Sequence, residues 1–253
     1  TLRQLLDHRS GLPDDDSLDP ALLEKALSFR GPGPVARRVF LGTLLNTTPV
    51  NPVGGMTYSN AGYVVAAAMM ERATGLGYEG LMRRFVFGPL GMKSAGFGTP
   101  GRGHARPVQP SGHDESGAPA GYGPSPVASP LAAPAGGIYM NMEDWSKFLR
   151  MQAGERVNGV KLLSDASLNA LHTPDPRPIP DQRGSLYGAG WVTVQTKLGP
   201  ALWHNGSNSL WYAEQILFPS KHAAVFVVTN QGGPAGEAAV GKALEAALAR
   251  FVA

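Results

Sequence analysis

An α+β fold is predicted, with a mostly helical first part and a second part of strands closed by a helix. Three observations predict it. Apolar residues recur at helical spacing to about residue 172. The pattern then changes to short extended segments, GAGWVTVQTK, ALWHNG, SLWYAEQILFP and HAAVFVVTN, split by Gly, Pro or Asn turns. The last stretch, Glu237 to Phe251, returns to helix, with Val240, Ala243, Leu244, Ala247, Leu248 and Phe251 as its apolar stripe. The change of period divides the chain into a helical region, 1–172, and a sheet-plus-helix region, 173–253.

In order along the chain, Thr1 is placed to cap a short helix carrying Leu2, Leu5 and Leu6 on one side, and Gly11 and Pro13 end it. Asp19 precedes a second helix from Pro20 to Phe29, where proline at the first helical position loses no needed N–H. GPGP interrupts, and an apolar segment from Val35 to Leu45 follows. The clearest helix comes after Tyr58-Ser59-Asn60. Ser59 or Asn60 can cap it, Val64, Val65, Ala68 and Met69 recur at helical spacing, and Gly75 supplies the stop. A shorter helix spans Tyr78 to Phe85 and closes at GPLGM.

Residues 98–135 read as a long loop with eight prolines, a length that in compact domains is usually functional or disordered. Asn141 caps the next helix, with Glu143 and Asp144 at its positive end and Trp145, Phe148 and Leu149 pointing inward. Ser164 caps another, to about Leu171. Of the extended segments, HAAVFVVTN is apolar on both faces and reads as an inner strand.

Composition excludes several classes of function. With 253 residues, 43% of them apolar, the chain is long enough for one large packed domain or two closely joined ones. The net charge of +3 and isolated pairs such as Arg37–Arg38 and Arg83–Arg84 give no basic surface interleaved with aromatics, so no nucleic-acid partner is expected. There is no cysteine, which removes disulfides, a thiolate nucleophile and a Cys-type zinc site. No apolar run approaches the roughly 18 residues of a transmembrane helix. The chain opens on Thr1 rather than Met, so its natural start is expected upstream.

Two stretches carry candidate chemistry. In the extended segment before the clearest helix, Tyr58 and Asn60 are two apart and point the same way, into one cleft. A tyrosine hydroxyl is a poor base near its ordinary pKa of about 10 and becomes useful when a cation lowers it. The asparagine amide both donates and accepts. In WHNGSNS, His204 stands near a strand end and is placed to tune Tyr58. Gly206 lets a ligand approach the backbone, and the N–H groups of Ser207 and Asn208 can face an oxyanion. Taken singly, the same residues also fit a packed tyrosine, a capping asparagine and a strand turn with an exposed histidine.

Together they fit one family. LRQLLDHRSGLP, PVGGMTYSNAGYVVAAAMMERATG, FGPLGM, SPLAAPAGGIYMNMEDWSKFL, YGAGW and WHNGSN occur in this order, and from Thr1 to Phe251 the chain resembles the serine beta-lactamase and penicillin-binding protein superfamily. The nearer branch holds class C-type beta-lactamases, D-alanyl-D-alanine carboxypeptidases, D-aminopeptidases and family VIII carboxylesterases. The resemblance implies a helical region against an antiparallel sheet flanked by helices, the two regions forming one interlocked catalytic domain with the site at their junction. It assigns Tyr58 and Asn60 to the Tyr-x-Asn motif, and His204, Asn205 and Gly206 to the third motif, with histidine in place of the beta-lactamase lysine. Tyr58 would then share proton transfer with a lysine, Asn60 would hold the substrate amide or that lysine, and the Ser207 N–H would form half of an oxyanion hole. Trp203, Trp211 and Tyr212 are placed either in an apolar pocket wall or in the sheet core. His8 looks like a structural residue that orders its turn. The 98–135 loop would roof the cleft, a role weighed against a metal site at His104, His113 and Asp114.

The family's nucleophile lies in Ser-x-x-Lys, and no serine here is followed by lysine three places on. The resemblance therefore places the nucleophile helix and two further strands upstream of Thr1, and a truncated non-catalytic binding or scaffold homologue stays open. The expected activity is acyl transfer through an acyl-enzyme on a small ester, beta-lactam or D-amino-acid amide, an esterase first, with no cofactor. A monomer or small homo-oligomer, completed by the upstream segment, is expected. A periplasmic or secreted location is favoured over a cytoplasmic one.

Overall fold

The computed structural model describes residues 1–29, 31–46, 49, 51–98, 109–120, 129–180, 182 and 184–250. Local sequence signals start most of the helices. Thr1 and Gln4 form a reciprocal capping box at the head of α1 (Leu2–Leu6). Asp19 caps α2 (Pro20–Ser28), and α3 (Gly33–Leu44) follows. Ser59, not Asn60, caps α4 (Asn60–Thr74), which ends at Gly75 in the left-handed conformation. The helix predicted over Tyr78 to Phe85 is a composite: α5 (Tyr78–Met82), a π-helical turn (Arg83–Phe87) and the short α6 (Gly88–Leu90). Asn141 caps α7 (Met142–Gln152), and Ser164 caps α8 (Asp165–His172).

Helices α2, α3 and α4 share a core of Leu22, Ala36, Phe40, Leu44, Ala61 and Val64. Inside this layer the Arg37 side chain is 0% exposed and is bound by Glu71 at 2.6 Å and Glu79 at 3.0 Å. The face α4 buries differs from the expected one: Ala61, Gly62, Val64, Ala66 and Ala67 are buried, whereas Met69 is 46% exposed. The helix is apolar nearly all round, so periodicity alone did not choose a side. Contact did: a Cβ on Gly62 would sit 3.3 Å from the carbonyl oxygen of Leu5 in α1.

A small antiparallel pair, β1 (Gly96–Phe97) and β2 (Ile138–Tyr139), precedes the main sheet. The main sheet is wholly antiparallel, in the order β3 (Leu186–Gly188), β4 (Trp191–Thr196), β5 (Gly199–Ser207), β6 (Tyr212–Phe218) and β7 (Ala223–Thr229). The closing helix α9 (Gly233–Arg250) places Leu244 on one face, against Ile216, Phe218 and Val225. Leu149 of α7, with Trp145, covers the other face at Leu202, Leu217 and Phe226.

Two expectations about the sheet are corrected. β7 was expected as an inner strand, but among the described residues it pairs only with β6. Its apolar character on both faces comes from the helices above and below, and alternation reports faces, not edges. β3 was not anticipated, because three residues ending at a glycine turn carry no period. In α9, Val240 and Leu244 are buried as predicted, Ala243 is exposed, and Phe251 lies outside the described residues. Among the described residues no helix is long and apolar enough to cross a membrane.

Arginines near the start of the chain tie the two regions together. Arg3 donates to the carbonyls of Ala170 and Thr173, and Arg9 to those of Gly54 and Arg177.

Candidate active site

The Tyr58-Ser59-Asn60 turn is held by the loop after α1. His8 adopts a positive φ of 56°, which turns its backbone so that both its carbonyl and its ring meet the turn. The Thr57 N–H donates to the His8 carbonyl at 2.9 Å, and the Ser59 N–H donates to His8 Nδ1 at 3.0 Å. The Ser59 hydroxyl donates to the Pro13 carbonyl at 2.5 Å. His8 is buried, and burial first, then the nearby His204, hold its pKa far below 6.5, at about 3.

With the turn fixed, Tyr58 and Asn60 face the same cleft, as their spacing predicts. Asp14, Asp15, Asp16 and Asn51 share its lining, and its volume is about 440 Å³. The Tyr58 ring lies on His8 with centroids 4.1 Å apart, yet 47% of the residue is exposed. Asn60 donates through Nδ2 to Asp15 at 2.7 Å. Asp15 carried no sequence signal; only the fold brings this residue, 45 positions earlier, to the cleft.

The third-motif strand reaches the same place from the sheet. The His204 ring lies 6.4 Å from that of Tyr58. Its Nε2 is 3.2 Å from the Tyr187 hydroxyl, and its Nδ1 is 2.5 Å from the Asn205 carbonyl. Tyr187 in turn stands 3.1 Å from His8 Nε2. Sequence reasoning noted YGAGW but missed this role of its tyrosine.

Gly206, two residues on, shares the His204 side of β5, and nothing lies within 4 Å of where its Cβ would be. Ser207, in register with Tyr212, is the last residue of β5, and both Gly206 and Ser207 are exposed. Strand alternation sends the side chains of Trp203 and Asn205 to the opposite face. There Trp203 donates to Glu214 at 2.5 Å and Asn205 donates to the Tyr212 hydroxyl at 2.6 Å. Thus Tyr58, Asn60 and His204 converge, the Asn205 side chain turns away, and the Trp203 ring, although bonded to Glu214, lies stacked 6.5 Å from that of His204.

The electrostatics differ from expectation. Partial burial first, then the Asp15 carboxylate, push the Tyr58 hydroxyl up rather than down. Burial lowers the His204 pKa, so this ring is neutral and supplies no cation to Tyr58. His113 is tied to the sheet by its backbone: its N–H donates to the Asn230 carbonyl at 2.8 Å and to that of Leu210 at 3.1 Å, and Gly112 packs against Trp211. Asp114 accepts from Ser116 and Ala118 within its own turn. Among the described residues no group of three or more His, Cys, Asp or Glu is arranged for a metal ion. His104 and much of the expected roof, 99–108 and 121–128, lie outside the described residues.

A helical layer meeting an antiparallel sheet flanked by helices is the architecture of beta-lactamase and transpeptidase-like proteins. The chain belongs to the beta-lactamase family, whose model matches residues 1–250. It is similar to the unguisins hydrolase of Aspergillus campestris, 22% identical over 231 residues that make up 91% of this chain and 42% of that protein. Among solved structures it is similar to SurE, at 25% identity and a TM-score of 0.75 over 99% of this chain and 55% of that one. It is similar also to the D-amino acid amidase of Ochrobactrum anthropi, at 23% identity and a TM-score of 0.70 over 98% of this chain and 77% of that one. The chain therefore spans less than half the length of the curated relative it matches.

Proposed function

We propose that this chain is part of a serine hydrolase that works through an acyl-enzyme on a small ester or amide. The observation that carries the proposal is the convergence of Tyr58 and Asn60 with His204, whose ring is 6.4 Å from Tyr58, at the helix–sheet junction. In this reading a serine supplied outside residues 1–253 attacks the carbonyl carbon. The Tyr58 hydroxyl relays the serine proton to the leaving group, and water then releases the acyl group. The lysine of the same Ser-x-x-Lys segment is the cation that would bring the raised Tyr58 pKa down. Asn60 orients the substrate amide or that lysine, and the Ser207 N–H faces the oxyanion over the open Gly206 backbone.

Substrate choice follows from charge. A neutral His204 and three aspartates along the cleft disfavour a substrate carboxylate, which supports an ester over a beta-lactam or a peptide ending in D-alanine. The same aspartates favour a second reading, an amide with a free amino group. That reading also fits the amidase named among the similar structures.

The test uses the full-length protein. Its intact mass is measured before and after a fluorophosphonate and a reactive penicillin, followed by turnover of a nitrophenyl ester and of D-amino-acid amides. A stable mass increase, with acylation cut about 10²–10⁴-fold in Tyr58→Phe, is the expected result. An unchanged acylation rate in that variant removes Tyr58 from the mechanism. No adduct with either probe on folded protein favours a non-catalytic homologue.

A further inference from the structure

Tyr187 stands between the two imidazoles of the site, and the groups on either side of it admit one arrangement of protons. The backbone N–H of Ser59 can only donate, so His8 Nδ1, 3.0 Å away, accepts and carries no proton. The Asn205 carbonyl can only accept, so His204 Nδ1, 2.5 Å away, carries one. Both rings are neutral near neutral pH because burial disfavours the imidazolium. His8 therefore has its proton on Nε2, 3.1 Å from the Tyr187 hydroxyl, and His204 presents a bare Nε2 3.2 Å from the same hydroxyl. The hydroxyl has one proton to give. The Tyr63 hydroxyl, which is also hydrogen-bonded to Tyr187, competes for it, since its own proton is given to the Leu6 carbonyl at 2.9 Å. If Tyr63 took that proton, the bare nitrogen of His204 would face an oxygen lone pair in a half-buried site, which costs more than the bond gained.

We infer that Tyr187 is a positioning residue of this site: its hydroxyl accepts from His8 and donates to His204, completing a one-way chain of hydrogen bonds from Ser59 to Asn205. With its Nδ1 proton committed to Asn205 and its Nε2 occupied by Tyr187, His204 is withheld from proton transfer at the cleft and from pairing with a substrate carboxylate. What it contributes is a ring of fixed orientation beside Tyr58. The inference uses the position of His204 in the site and not the identity of the substrate.

The test is nitrogen NMR of the whole protein with histidine labelled at its ring nitrogens, using His8→Gln and His204→Gln to assign two of the six histidines. A protonated Nδ1 with a bare Nε2 is expected for His204, and the reverse for His8. In Tyr187→Phe the His204 Nε2 resonance is expected to move downfield, the direction of a bare nitrogen that has lost a donor. A packing role alone would lower the melting temperature and leave that resonance in place. A proton on His204 Nε2 in the unmutated protein overturns the inference whether or not Tyr187→Phe folds, and so does an unmoved resonance in the folded variant. No turnover is read, so failure of the proposed hydrolase activity would leave these signals unaffected.

Discussion

The backbone N–H of Ser59 donates to Nδ1 of His8 across 3.0 Å, and this bond holds the cap of α4 against the loop that follows α1. It makes the placement of Tyr58 and Asn60 depend on a residue 51 positions earlier in the chain.

His8→Ala removes a buried acceptor and opens a cavity under the Tyr58 ring. A loss of about 2–4 kcal/mol is expected from the two effects together, read as a lower urea midpoint with an unchanged slope.

The same histidine makes stability depend on pH. Its folded pKa, about 3, lies below its ordinary 6.5, so the unfolded chain binds the extra proton. The contribution of neutral His8 is thus complete above pH 6.5 and is lost as pH falls toward 3, at about 1.4 kcal/mol per pH unit. His204 and His172 are shifted in the same direction by burial and steepen the fall. Urea unfolding at several pH values between these limits, repeated with His8→Gln, should show a shallower slope in the variant.

Arg37→Met leaves the Glu71 and Glu79 carboxylates facing each other without their shared cation. A loss of about 3–5 kcal/mol is expected, whereas Glu79→Gln, at the more exposed end of the group, should cost clearly less. Paired thermal melts of the two variants decide it.

Tyr58 is half exposed, so Tyr58→Phe should leave stability within about 0.5 kcal/mol of the parent. A larger loss would mean that the residue holds the fold together and that any effect on turnover is indirect.

Asp15→Asn should lower the Tyr58 pKa, because one of the two causes that raise it is the Asp15 charge. The difference in phenolate absorbance between this variant with and without Tyr58→Phe isolates the titration. A pKa that stays or rises would show that burial alone sets it.

What the sequence made legible was local. Thr1, Asp19, Asn141 and Ser164 each act as the predicted cap, since a cap needs only the next few backbone N–H groups. Tyr58 and Asn60 share a cleft because a two-residue spacing on extended chain fixes a common side. Features that depend on distant partners stayed hidden. Arg37 and Arg38 read only as an isolated basic pair, yet Arg37 is buried between two glutamates that come from other helices. Tyr187 sits on a strand too short to carry a period, and its partners His8 and His204 come from opposite parts of the chain. The edge position of β7 was equally hidden, because pairing order leaves no mark on alternation.

Arg3 and Arg9 reach across the molecule to the carbonyls of Gly54, Ala170, Thr173 and Arg177 and not to their side chains. A carbonyl is present whatever the residue. Each arginine also holds a carboxylate, Arg3 that of Asp7 and Arg9 that of Asp175. A comparison of homologues should therefore find variable residues at positions 170, 173 and 177, gripped only by their carbonyls, while Asp7 and Asp175 change together with their arginines.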